Sequence, residues 1–245
     1  MATGQDKSRL VSLRRQLAAL ESGGRTVSVL PFNLVAIDAG LPWGGLPLSA
    51  LHEIESIGAQ GEDGAMAAAF LAGILARLAP KRPVLWCLRC ADLHAPGLAL
   101  YGLAPGRLLL ACTQNDQEAL WAMEEGLRNP ALAAVVGEIE ALSVPASRRL
   151  QLAAETSCVT GFVLHRQSAI SAASSAVTRW RVSALPGMPT PEPGLGRPLW
   201  RVELLRCRGG VPAAWDVEAC NATGYVSLPA ALADRPSLAQ RRSAG

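Results

Sequence analysis

Lysine is nearly missing from this chain. Lys7 and Lys81 are the only two, and arginine supplies the rest of the 23 basic residues. Against 20 acidic residues the formal net charge is +3, too small an excess to mark a dedicated nucleic-acid binder, which concentrates basic side chains on one face. Long apolar runs are missing as well. No stretch reaches the ~18–20 apolar residues of a membrane span, and the nearest, 65–78, is interrupted by Arg77. The opening MATGQDKSRLVSLRRQ lacks the continuous apolar segment of a signal peptide. These absences place the chain, as an expectation, in the cytoplasm and away from membranes. Metal spacing is absent too: Cys87 and Cys90 form a C-x-x-C, but no second pair follows, and the apolar run around them reads as a buried strand. The thiols are expected in the core, with no metal and no cofactor.

What is present suits a globular α/β protein. Half of the residues are apolar and 18% are charged, enough to bury a sizeable core in 245 residues. Residues 8–22 form an amphipathic helix pattern, with Leu10, Leu13, Leu17 and Leu20 on one side and Arg14, Arg15 and Gln16 on the other. Gly23 and Gly24 end it, and 31–46 reads as a Gly/Pro-rich loop. From residue 51 short apolar strands alternate with helices: strands at 51–55, 84–90, 107–111, 132–136 and 161–165, helices at 64–78, 116–129 and 146–157. Trp121 and Leu127 are expected to face inward from the second of these helices. That alternation predicts a mostly parallel sheet covered by helices on both faces. The last third predicts strands at 179–185, 200–207, 215–220 and 225–228, with an antiparallel hairpin between the second and third. The expected organisation is an N-terminal helix at 1–24, one α/β domain at 25–228 and a basic tail at 229–245.

The most informative stretch is 40–78: a turn, a strand, a glycine-bearing loop and an alanine-rich helix. This is the layout of a phosphate-binding loop, where backbone N–H groups and a helix N-terminus hold an anion. Such a loop needs Lys and then Ser or Thr after its last glycine, for the phosphates and Mg²⁺. Gly58, Gly61 and Gly64 are in place, but Ala65 and Met66 stand where the cation and hydroxyl belong. Glu62 and Asp63 precede them, which repels a triphosphate while stabilising the start of a helix. Strand 132–136 runs into Gly137 and Glu138 rather than an Asp, and strand 84–90 closes on Arg89 and Cys90 before Ala91, with Asp92 slightly beyond. Phosphoryl transfer depends on such positioned charges, so the reading is a nucleotide fold without turnover. His52, His94 and His165 are scattered and suggest no nucleophilic site. Trp86 and Trp200 fit a core, while Trp43 and Trp215 serve either as packing or as exposed partner anchors.

Four stretches carry a resemblance to the ImuA family, RecA/SulA-like proteins of bacterial mutagenesis cassettes. They are LRRQLAALE, GLPWGGLPLSALHEI, LAAVVGEIEAL followed by RRLQLAAETS, and LWRVELLRCRGGVPAAWDVEAC. The resemblance implies a RecA-like core and a non-catalytic accessory role in translesion DNA synthesis. Implied partners are ImuB (an inactive relative of Y-family polymerases), RecA and an error-prone DnaE-type polymerase. Direct DNA contact is left open, because the segments corresponding to the DNA-binding loops of RecA are short and lack aromatics for base stacking. Arg206 and Arg208, followed by Pro212, match two RecA lysines that reach towards a neighbour's nucleotide; two solvated charges on one face of a strand are the alternative. The 8–22 helix docks either onto a partner or onto its own core. A SulA-like inhibitor of cell division is the competing function.

Overall fold

The computed structural model describes residues 27–56, 62–165, 173–187 and 196–229. The predicted helix at 8–22, with Leu10, Leu13 and Leu17, and nearly all of the predicted tail lie outside the described residues. A small ribbon opens the structure: β1 (Val29–Leu30) pairs antiparallel with β2 (Leu46–Pro47), and α1 (Val35–Asp38) lies between them. Then follow β3 (Leu51–Ser56), α2 (Glu62–Arg77), β4 (Val84–Leu88), α3 (Ala95–Leu98), β5 (Leu108–Cys112), α4 (Asp116–Leu127), β6 (Ala134–Glu138), α5 (Val144–Ser157) and β7 (Thr160–His165). Three strands end the sheet: β8 (Thr178–Leu185), β9 (Leu199–Cys207) and β10 (Ala213–Glu218).

The main sheet has the order β10-β9-β8-β3-β7-β6-β4-β5. All pairings from β8 to β5 are parallel, whereas β8–β9 and β9–β10 are antiparallel. This is the expected mixed α/β architecture with an antiparallel C-terminal extension. Helix α2 covers one face over β3 and β8, and α4 and α5 cover the other over β4, β6, β7 and β3. Because both faces are covered, the parallel strands carry apolar residues in both directions: Val84 and Trp86 point to the α2 side, Cys87 to the α4 side. The α2 side is aromatic, with Phe32, Phe70, Trp180 and Trp200 in ring contact. The alanines of α2 let the helix lie close; at Gly73 an added Cβ would sit 2.3 Å from Cys220 Sγ.

Helix ends are closed by side chains. Asn115 accepts from the Glu118 N–H at 2.9 Å to start α4, and Ser143 accepts from the Ala146 N–H at 3.3 Å to start α5. Arg107 closes the far end of α2, donating to the carbonyls of Leu75, Ala76, Leu78 and Ala79 at 2.8–3.3 Å.

Some expectations are corrected. Trp121 is 68% exposed, because the buried stripe of α4 runs through Ala119, Met123, Gly126 and Leu127 on its opposite side. The predicted strand at 225–228 is reduced to one bridge, Glu218 to Ser227. Cys87 is buried but Cys90 is exposed, since β4 ends at Leu88. Trp43 and Trp215 both pack on the aromatic core, and Trp215 donates to the Ala36 carbonyl at 3.1 Å.

Candidate functional site

In a parallel sheet, ligands bind beyond the carboxyl ends of the strands, where neighbouring connections diverge. Strand β3 occupies that place, with β7 on one side and β8 on the other. Gly58 and Gly61, from the loop that follows it, lie outside the described residues. Gly64 is already inside α2, and a Cβ there would meet no atom within 4 Å, so packing does not demand glycine. Ala65 is exposed, and Met66 is half-buried against the aromatic core. Neither presents a charge or a hydroxyl to the loop.

Three charged groups described at this end of the sheet, Glu138, Arg89 and Asp116, have partners within the fold. Glu138 at the end of β6 is buried and accepts from Trp86 Nε1 at 3.1 Å. Beyond β4, Arg89 donates to Asp116 at 2.9 Å and lies 3.7 Å from Glu140. Asp116 also accepts from the backbone N–H groups of Glu140 (3.3 Å) and Ala141 (3.0 Å). Burial works against its charge, but these donors outweigh burial and hold the carboxyl below its ordinary value. The Cys87 thiol, the first of the C-x-x-C, is pushed up to about 12 by burial, the behaviour of a core residue rather than a ligand. Among the described residues no group of three or more His, Cys, Asp or Glu is arranged to hold a metal ion.

A second cluster sits between β3, β7 and β8, and sequence reasoning missed it. Glu53 is buried and accepts from Arg179 Nε at 2.9 Å and Nη2 at 2.8 Å, from His165 Nε2 at 3.3 Å, and from the Ser174 hydroxyl. Two residues along, Glu55 pairs with Arg181. Burial alone would raise the Glu53 carboxyl; the hydrogen bonds from His165 and Ser174 and the charge of Arg179 reverse this and hold it below its ordinary value. The signal for the cluster was the pair of glutamates two residues apart on one face of a buried strand, since buried charges require partners.

On the opposite face of β3, His52 lies in a polar chain. Trp180 Nε1 donates to Thr178 Oγ1 at 2.7 Å, and His52 Nδ1 is 2.7 Å from the same hydroxyl. His52 Nε2 lies 2.9 Å from the Pro47 carbonyl, which can only accept, so Nε2 carries the proton and Nδ1 accepts from Thr178. Burial pushes this imidazole down to about 4, against the bond to Pro47.

Arg206 and Arg208 are brought together at the other end of β3. Arg206 Nη1 donates to the Ser174 carbonyl at 2.6 Å and Arg208 Nη2 to the Ser175 carbonyl at 3.0 Å. The backbone of Arg208 bonds Val177, whose own N–H bonds Leu51 at the start of β3. Arg208 is exposed and Arg206 half-buried. The two arginines therefore lie at the amino end of β3, while Gly64, Ala65 and Met66 follow its carboxyl end.

The parallel core, the helix entered directly from β3 and the antiparallel β8–β10 extension define a RecA-like domain whose loop lacks the phosphate-binding lysine. No family model matches the chain. It is 40% identical over 216 residues to Protein ImuA from two strains of Caulobacter vibrioides, NA1000 / CB15N and ATCC 19089 / CIP 103742 / CB 15. The match covers 83% of this chain and 88% of each relative. The chain belongs to the ImuA family.

Proposed function

We propose that this chain is a non-catalytic accessory protein of damage-induced mutagenesis, which supports error-prone translesion synthesis by binding other proteins. The observation that carries this reading is the pairing of a RecA-like scaffold with Ala65 and Met66 at the head of α2. Without a cation or a hydroxyl there, nothing in the loop neutralises a triphosphate or shares a Mg²⁺ ion. What the scaffold retains is surface. The partners that family membership suggests are ImuB and RecA, together with an error-prone DnaE-type polymerase. In this reading the 1–24 helix docks through Leu10, Leu13 and Leu17, the 25–228 domain carries the main surfaces, and 229–245 is an appended tail. Arg206 and Arg208 stand at the end of β3 away from the loop, as a finger reaching a neighbouring protomer would require.

Two experiments test the proposal. Titration calorimetry of the full chain with Mg-ATP is expected to give no heat, whereas a working site worth ~8 kcal/mol would bind at micromolar concentration. Micromolar binding or steady phosphate release overturns the non-catalytic reading. Capture of purified ImuB or RecA by the tagged chain is expected, with weaker RecA capture when Arg206 and Arg208 are both changed to Ala. Capture of the tubulin-like division protein instead of either overturns the mutagenesis reading in favour of a SulA-like inhibitor.

A further inference from the structure

The two edges of the main sheet are finished differently. The β10 edge carries Asp216 and Glu218, paired with Arg201 (3.2 Å) and with Arg197. Charges of this kind are how edge strands avoid joining other sheets. The β5 edge has none of them. Its sequence is Leu108-Leu109-Leu110-Ala111-Cys112, without a charge, a proline or a glycine, and Leu109 and Leu110 are 50% and 47% exposed on its two sides. The preceding Arg107 is no guard, because its guanidinium is occupied by the α2 carbonyls.

The backbone of β5 tells which groups are free. The Thr113 N–H donates to the Leu88 carbonyl at 2.8 Å, while the parallel register sets Cys112 opposite Leu88. Successive residues of a strand aim their N–H and C=O groups to alternate sides. Those of Leu109 and Ala111 therefore face β4 with Thr113, and those of Leu110 and Cys112 face outward together with the Leu108 carbonyl, the Leu108 N–H being bonded to the Pro105 carbonyl. Among the described residues β4 is the only strand beside β5. The Leu108 carbonyl and the Cys112 N–H stand on either side of Leu110, an acceptor and a donor at equal spacing.

We propose that β5 is a self-pairing edge, through which two copies of this chain join antiparallel about a two-fold axis at Leu110. In that register Leu110 exchanges both backbone bonds with its counterpart, and the Leu108 carbonyl of each copy accepts from the Cys112 N–H of the other. Leu109 lies across from Ala111. A second copy fits because antiparallel pairing about Leu110 gives a partner to every outward group except the Cys112 carbonyl, and because a strand with no charge meets no like charge in its twin. The joined strands are short, so the contact stands at the small end of protein interfaces and the dimer dissociates in the micromolar range.

Sedimentation velocity on the full chain from about 1 to 200 µM tests this. The wild-type protein is expected to shift from monomer to dimer across that range. Leu110→Pro removes an N–H that points away from β4, a place where a strand tolerates proline, so the β4–β5 ladder survives. It is expected to raise the dissociation constant at least ~10-fold, from the two interchain bonds lost. Leu110→Lys is expected to do the same by placing two like charges on the axis, and it serves if the proline variant does not fold. Near-UV circular dichroism and the melting temperature of the variants report whether each is folded. A wild-type chain that remains monomeric at the highest concentration, or a dimer equally strong in a folded Leu110→Pro or Leu110→Lys chain, overturns the proposal.

Discussion

Strand β3 has one face made of hydrocarbon and another made of charge. Towards α2, Ile54 enters a core of Phe32, Phe70, Trp180 and Trp200, and His52 is neutral within its chain of hydrogen bonds. Towards the other side, one residue along, Glu53 and Glu55 meet Arg179 and Arg181. The first face supplies the aromatic burial, and its one polar chain joins His52 to Thr178 directly across from it. The second specifies alignment, because Glu53 lies opposite Arg179 and Glu55 opposite Arg181 in the β3–β8 register. A slip of one residue would turn both arginines into the aromatic core. Aromatic burial and charge pairing are thus assigned to opposite sides of one strand.

The largest expected effect comes from breaking the charged face. Glu53→Ala leaves Arg179 and His165 buried beside a void, and a loss of about 3–5 kcal/mol is expected in urea denaturation. Replacing Glu53 and Arg179 together by Leu and Met should recover most of it, because no charge is then stranded. If the single and double variants unfold at the same denaturant concentration, the pair has no coupling and the alignment argument fails.

The second effect belongs to the neutral histidine. His52 is lowered to about 4 in the fold, while an unfolded histidine titrates near its usual value of 6.5. Between those values the unfolded chain binds the additional proton, so stability is complete above pH 6.5 and falls as the pH drops towards 4. The expected loss is about 3 kcal/mol. A proton on Nδ1 would also point at a Thr178 oxygen that already accepts from Trp180. Glu53 acts in the same direction at lower pH: its carboxyl lies below the ordinary value, so its contribution is present above the ordinary carboxylate range and lost as the pH falls through its folded pKa. His52→Gln should flatten the melting profile between pH 6.5 and 4 but leave the steeper fall below it, which separates the two faces by titration.

The smallest effect lies where neither face constrains the chain. Gly64→Ala adds a methyl group into open space within α2. A gain of about 0.5–1 kcal/mol is expected, read as a higher melting temperature. A loss instead would mean that the loop before it needs the glycine backbone.

Much of the fold was legible because it rests on local pattern. The apolar runs of β4, β6 and β7 and the amphipathic spacing of α4 and α5 needed no knowledge of partners. The failures have a physical origin. Trp121 looked like a core residue because tryptophan is large and apolar, yet α4 approaches the sheet too closely for it. Small residues mark the inner face instead, and at Gly126 an added Cβ would lie 2.6 Å from Leu85. The partners of Glu53 were illegible because His165 and Arg179 are 112 and 126 residues away. That Ala65 and Met66 follow Gly64, without a lysine or a hydroxyl, could be read at once, since it depends on adjacent residues alone. Arg206 and Arg208 were legible as a pair through their period of two, but not their attachment to the carbonyls of Ser174 and Ser175.

The position of β3 between β7 and β8 bears on how the molecule is made. A ribosome releases β3 early and its neighbours late, since the residues that satisfy Glu53 follow by 112 and 126 positions. At ~5–20 residues per second the strand waits on the order of ten seconds with no mate on either side. A wholly apolar strand would be exposed to aggregation for that interval. Two glutamates keep the nascent segment hydrated, and the same carboxylates later admit only the neighbour that brings arginines at the matching spacing.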